Sequence, residues 1–227
     1  MTRWKIDDDL AGIVAAPQIR WNELRHARLL LTGGTGFIGR WLLEALQQAN
    51  NLLALDLHIT VPSRQPEVFR LRAGHLLANG RLTLIPLDLT AEQPTGEFTH
   101  IIHAATDASA KLNDEQPLTV FRTIVHGTEQ VLKLAASQPG TKVLFLSSGA
   151  VYGQQPPELP GIPENWRGSP NPQVVKNTYG EGKRAAEMLC AIYRKQFDVD
   201  VVTARIFALL GPFLPLGTHF AAGNFIR

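Results

Sequence analysis

The chain has 227 residues, 44% of them hydrophobic, enough to bury one sizeable domain or a domain and part of a second. Its 22 Lys and Arg against 20 Asp and Glu are spread along the chain, which leaves no basic stripe to track a nucleic acid or a membrane surface. A single Cys rules out a disulfide framework, no apolar run reaches the roughly 18 residues of a membrane span, and Asp7-Asp8-Asp9 is unlike a secretory leader, so the expected location is the cytoplasm.

Residues 1–27 carry Trp4, Ile6, Leu10, Ile13, Val14 and Trp21 between polar residues, the pattern of a short helix and a crossing segment packed on the domain. Leu29-Leu-Leu-Thr-Gly-Gly-Thr-Gly-Phe-Ile-Gly39 then runs three aliphatic residues into a turn with glycines at 33, 36 and 39, and Arg40 to Gln48 follows with Trp41, Leu42, Leu43, Ala45 and Leu46 at helical spacing. Such a strand, turn and helix gathers unpaired backbone N–H groups and the positive end of a helix dipole at one point, where a diphosphate can sit. His58 to Pro62 reads as a second strand ending in Ser63-Arg64, Glu67 to Ala78 as a helix, and Arg81 to Pro86 as a third strand closing on Asp88-Leu89. Thr99 to Ala104 gives a fourth strand closing on Ala105-Thr106.

Apolar positions from Val120 to Ala135 recur at helical spacing, which predicts a long crossover helix between Pro117 and Ser137. Lys142 to Ser147 is the fifth strand, Gln154 to Pro172 an irregular loop with six prolines, Thr178 to Gln196 a helix that buries Cys190, and Asp200 to Ile206 the sixth strand. Short apolar strands alternating with helices predict an α/β fold, a doubly wound parallel sheet of Rossmann type over residues 28–212. Phe220 to Arg227 looks like the opening of another helix.

Two clusters turn a cofactor site into a candidate active site. Ser147-Ser148-Gly-Ala-Val-Tyr-Gly153 stands at the carboxyl end of the fifth strand, where ligands of open α/β sheets bind. Tyr179-Gly-Glu-Gly-Lys183 places a phenol and an amine one helical turn apart on one face. A nearby ammonium favours the phenolate and is expected to draw the Tyr179 pKa toward neutrality, while Ser148 holds the substrate oxygen. No metal site is expected.

With these residues in view, the sequence resembles the extended short-chain dehydrogenase/reductase family, NAD(P)-dependent epimerases, dehydratases and reductases of nucleotide sugars. Thr32 to Gly39 matches the glycine fingerprint, Ile102-His-Ala-Ala105 the strand lining the cofactor, and Gly127-Thr128 the middle of the long helix. Ser148 lies four residues before Tyr152 as the family's catalytic Ser or Thr does, Tyr179 and Lys183 match its catalytic pair, and Arg205-Ile-Phe with Gly211-Pro212 resembles the lead into the substrate domain. The resemblance implies that Tyr179 exchanges a proton with a sugar hydroxyl while hydride passes to or from the nicotinamide, and that Lys183 also bonds the nicotinamide ribose. It places Gly33, Gly36, Phe37, Ile38 and Gly39 around the diphosphate, Ala104, Ala105 and Thr106 behind it, and Asp88 and Leu89 at the adenine. It also implies a nucleotide-sugar substrate, a homodimer formed through the two long helices, and a small C-terminal substrate domain, largely absent from this chain, of which residues 213–227 are the start.

The sequence departs from the family at two places. Ile124 stands where the family often has an Asn that holds a relay water, and its apolar helix face reads as core. Sugar 4,6-dehydratases and related decarboxylases usually carry an acid just after the catalytic Ser or Thr, and here Gly149-Ala150 occupies that place, a pattern nearer to epimerases and 4-keto reductases. Other readings are a 4,6-dehydratase, a reductase of small carbonyls, or a non-catalytic NAD(P)-binding sensor. Ser63-Arg64 at the end of the second strand favours NADP over NAD, because Arg accommodates the extra 2'-phosphate, whereas a rival register would put Asp56 on the ribose of NAD.

Overall fold

The structure, a computed structural model, describes residues 6–106 and 110–214. Six strands form one wholly parallel sheet: β1 (Arg28–Thr32), β2 (His58–Ser63), β3 (Leu82–Pro86), β4 (His100–His103), β5 (Lys142–Ser148) and β6 (Asp200–Ile206). Their order is β3-β2-β1-β4-β5-β6. The chain therefore winds outward from β1 in one direction and returns to wind outward in the other, which opens a crevice between the carboxyl ends of β1 and β4.

Alternation along β1 shows why both faces must be covered. Leu29 and Leu31 enter a core with Leu43 and Leu46 of α2 (Phe37–Leu53) and Phe69 of α3 (Pro66–Ala73). Leu30 points the other way, into a core with Val120, Ile124 and Val131 of α5 (Pro117–Ala136) and Ala186 and Cys190 of α6 (Thr178–Phe197). Fully burying side chains of this size contributes about 1.5–3 kcal/mol each. Burial also pushes the Cys190 thiol up to about 12, as expected of a packed, unreactive sulfur.

All six predicted strands are present, with ends shifted by a residue or two. α2 begins earlier than its apolar pattern suggests: Gly36 is its N-cap, so Phe37, Ile38 and Gly39 are its first turn and not part of the loop. The helix predicted from Glu67 to Ala78 stops at Ala73 and continues as a 3-10 turn, Gly74–Leu77, because a glycine in mid-helix weakens the α-ladder. Before the long helix lies a short one, α4 (Ala110–Glu115). Residues 6–24 supply α1 (Ile6–Ala15), with Leu10 buried, and a 3-10 turn whose Trp21 Nε1 donates to the Val14 carbonyl at 3.1 Å. The expectations for Trp4 and for a helix from Phe220 lie outside the described residues.

The turn from α2 into β2 needs an unusual backbone. Ala54 and Asp56 both adopt positive φ, 47° and 56°. Asn50, buried near the end of α2, holds this turn by donating Nδ2 to the Leu57 carbonyl at 2.8 Å and accepting the Leu57 N–H at 3.0 Å. Asn50→Ala would strand both groups of a fully buried residue, so the expected loss is about 2–4 kcal/mol; a urea midpoint within error of wild type would show that the latch is dispensable.

Candidate active site

The three glycines of the first turn serve different ends. Gly33 has φ +71°, and a Cβ there would lie 2.5 Å from the Ala104 carbonyl, so the turn touches the end of β4 directly. A Cβ on Gly39 would lie 2.2 Å from the Gly33 carbonyl oxygen, which explains a glycine inside the first turn of α2. At Gly36 the same atom would meet only the Gly33 carbonyl, at 3.3 Å, and otherwise open space. Gly36 also caps α2 without any side chain, leaving the positive helix end uncovered. This division suits a diphosphate: one glycine for the turn, one for close approach, one for helix packing.

The segment Ala104–Thr106 joins this turn to the second half of the site. At Ala104 it meets Gly33; at Thr106 the hydroxyl accepts Lys183 Nζ at 2.9 Å. Lys183, 2% exposed, also donates to the Leu146 carbonyl of β5 at 2.7 Å and lies 4.8 Å over the Phe145 ring. Burial pushes its ammonium down to about 8. Tyr179, one turn earlier on α6, faces Ser148 at the last position of β5.

The sequence expectation about Tyr179 is corrected here. Burial raises the phenol above its ordinary value and the hydrogen bond with Ser148 only partly offsets this; Lys183 has no share in it. The helical spacing is as predicted, but the amine bends to the β5 carbonyl and to Thr106. With nothing else bound, the Tyr179 phenol keeps its proton at neutral pH.

Behind these groups His103 is fully enclosed and neutral, with burial first and the Lys183 charge second pushing it down to about 3. Its hydrogen bonds run in one direction. The Thr128 hydroxyl donates to the Ile124 carbonyl at 2.7 Å, so it must accept from His103 Nε2 at 3.1 Å. Nδ1 is then the acceptor for the Thr32 hydroxyl at 2.7 Å, and Thr32 in turn accepts the Ala105 N–H at 3.3 Å. Ile124, 1% exposed, packs against Gly182 beside Lys183, in accord with its reading as core.

At the carboxyl end of β2, Arg64 is exposed immediately after the strand, and its charge helps hold Asp88 below the usual carboxylate range, after the two hydrogen bonds from Thr90. Leu89 is half-buried against the α5 side of the core. Asp56 lies before the opposite, amino end of β2 beside His26, His58 and Arg81, which removes the register that would set it on a ribose. Among the described residues no His, Cys, Asp or Glu cluster could hold a metal ion, and no helix is long and apolar enough to cross a membrane.

A model of the NAD dependent epimerase/dehydratase family matches residues 29–227. The chain belongs to this family. It is 34% identical over 203 residues to UDP-glucuronic acid decarboxylase 3 of Arabidopsis thaliana, covering 88% of this chain and 56% of that protein. The chain thus spans about half the length of the curated relatives it matches. A crystal structure of UDP-galactose 4-epimerase superposes with a TM-score of 0.67 at 27% identity, over 88% of this chain and 61% of that one. A UDP-glucuronic acid 4-epimerase from Bacillus cereus, solved with UDP-glucuronic acid and NAD, has the same fold, with a TM-score of 0.69 at 23% identity over 84% and 60% of the two chains.

Several residues that set this family site in place carry no local sequence signal. Asn113 of α4 accepts the Tyr179 N–H at 3.1 Å and donates to the Lys176 carbonyl at 2.9 Å, capping α6 from another element, because Asn177 offers no cap of its own. Gly180 admits the Ala150 carbonyl, which a Cβ would approach to 3.0 Å. Glu187 and Arg205 form a bidentate pair nearby.

The depressed lysine has a consequence for stability. Between its folded value near 8 and its unfolded value near 10.5 the unfolded chain holds a proton that the folded chain has released, so stability rises with pH across this window. Against a Lys183→Met reference, wild type should therefore gain up to about 3 kcal/mol between pH ~7 and pH ~10 in urea unfolding; parallel pH curves for the two proteins would show that the ammonium carries no penalty.

Proposed function

We propose that this chain carries the cofactor-binding and proton-transfer half of an enzyme that moves a hydride to and from a nucleotide-activated sugar, with epimerisation or 4-keto reduction as the outcome. The observation that carries the reading is the meeting of Tyr179 and Ser148 at the carboxyl end of β5, with Lys183 one turn on and tied through Thr106 to the segment that Gly33 touches. The relatives' names, a UDP-glucuronic acid decarboxylase and a UDP-galactose 4-epimerase, support a nucleotide-sugar substrate.

A bound nicotinamide supplies the hydride acceptor and donor. The protein's part is the proton: the Tyr179 phenol gives it to a carbonyl oxygen or takes it from a hydroxyl, Ser148 fixes that oxygen by a hydrogen bond, and Lys183, anchored on Thr106 and the β5 carbonyl, would bond the nicotinamide ribose. Gly33, Gly36, Phe37, Ile38 and Gly39 hold the diphosphate, with Ala104, Ala105 and Thr106 behind it, and Asp88 and Leu89 border the adenine. Decarboxylation of a sugar acid is a second reading, favoured by the 34% identity to a decarboxylase and opposed by Gly149-Ala150, which put no carboxylate next to Ser148 in the sequence. In this reading the protein works in the cytoplasm and pairs as a homodimer through its two long helices, on which Leu118, Met188 and Ile192 stay exposed.

With a full-length protein, NADH or NADPH, and a panel of nucleotide sugars and 4-keto sugars, Tyr179→Phe should lower kcat/KM on the order of 10²- to 10⁴-fold while cofactor affinity is retained. Cofactor binding with no turnover by wild type would favour a sensor, and release of carbon dioxide from UDP-glucuronic acid would favour the decarboxylase.

NADP is the preferred cofactor in this proposal, on the strength of Arg64 beside the crevice; NAD is what the B. cereus epimerase was solved with. Arg64→Ala should weaken NADPH binding by about tenfold to a hundredfold through the loss of a charge-assisted hydrogen bond, and leave NADH nearly unchanged. An equal loss for the two cofactors in a fluorescence titration would remove the NADP assignment.

A further inference from the structure

One helical turn beyond Lys183 on α6 lies Glu187, a half-buried carboxylate with no part in the proton transfer described above. Its Oε1 accepts the Ser147 hydroxyl at 2.6 Å and Arg205 Nε at 2.9 Å, and its Oε2 accepts Arg205 Nη2 at 2.7 Å. Burial pushes this carboxyl up, but the bonds from Arg205 and Ser147 outweigh it and the group stays ionised. Ser147 is the neighbour of Ser148 in β5, and Arg205 sits near the end of β6, so one carboxylate fastens two strand ends to the helix that bears Tyr179 and Lys183.

The connection continues outward. Arg205 donates Nη1 to the Glu164 carbonyl at 3.1 Å and lies 4.6 Å over the Tyr152 ring, whose hydroxyl reaches the same carbonyl at 3.4 Å. Glu164 is midway along the irregular, proline-rich segment 153–174, which leaves the strand end carrying Ser148 and arrives at the helix carrying Tyr179. Arg184 adds weaker bonds at 3.4 Å to the Val151 and Gly168 carbonyls. A bidentate guanidinium fixes direction as well as charge, and a carboxylate this enclosed is stable only while that partner is present.

We propose that Glu187 and Arg205 are the positioning pair of this site: they hold segment 153–174 through Glu164 and thereby set Ser148 opposite Tyr179. The proposal rests on the reading that Ser148 and Tyr179 are the groups that meet the substrate. Neither Glu187 nor Arg205 touches the reacting atoms in it.

The test uses Glu187→Gln and Arg205→Met in the full-length protein, with Arg205→Lys as the conservative variant. Arg167 is exposed in the segment, so trypsin cleavage between Arg167 and Gly168, followed by mass spectrometry, reports whether the segment is held. Both disruptive variants should be cut there several-fold faster than wild type, bind NADH as wild type does, and lose turnover on the order of 10²-fold in kcat with cofactor KM unchanged, the pattern of a misplaced rather than an unfolded site. Arg205→Lys, which keeps the charge and one bond, should recover part of both effects. Wild-type cleavage rates, or fast cleavage with undiminished kcat, would overturn the proposal. Arg205 is partly solvent-exposed, so Arg205→Met keeps the test open should Glu187→Gln not fold. If wild type turns over no nucleotide sugar, the functional reading above fails, while the rate of cleavage at Arg167 still decides whether the pair holds the segment.

Discussion

An ammonium held out of water is the constraint that the rest of the site accommodates. Lys183 survives at 2% exposure because a carbonyl and an aromatic face of β5 and a hydroxyl from the segment after β4 surround it. Phe145 gives one face to that ammonium and stacks near-parallel with His103 at 5.7 Å. An imidazolium there would be a second buried positive charge, and burial together with the lysine keeps the imidazole neutral. The column from α6 through β5 to β4 is thus an electrostatic arrangement as much as a packing one.

The topology makes that column possible. In a parallel sheet all strand ends of one kind lie on one side, so residues far apart in sequence, Thr32, Thr106, Ser148 and Lys183, converge without any one segment containing them. The reversal of winding between β1 and β4 leaves a gap at that side, and the α2 glycine turn closes against β4 through Gly33 and Ala104. Solved nucleotide-sugar enzymes share this fold, and the present chain spans about half the length of the curated relatives it matches.

What could be read from the sequence is what rests on local rules. Short apolar runs without strict alternation gave all six strands, and the glycine turn, Ser148 and the Tyr179–Lys183 spacing came from local patterns. Asn113 could not be found that way, since its capping of α6 depends on where α4 lands in space. The same holds for the pairing of Glu187 with Arg205, eighteen residues apart: Arg205 stood out only as part of the lead into the substrate domain, and nothing local ties it to Glu187. The pKa of Tyr179 was misjudged for a related reason: helical spacing fixes where an amine starts, and only the surrounding fold decides where it ends. Asp56, the rival to Arg64 for the ribose, was set aside for good only by the end of β2 that each occupies.

The row of hydrogen bonds through His103 begins on an amide, at Ala105, and finishes on a carbonyl, at Ile124. Neither terminus can readily yield or receive a proton, so the row is a dead end for proton conduction even though it consists of two alcohols and an imidazole. The imidazole thus serves as a fixed strut tying β1, β4 and α5 together, and it opens no path for protons across the sheet at this point.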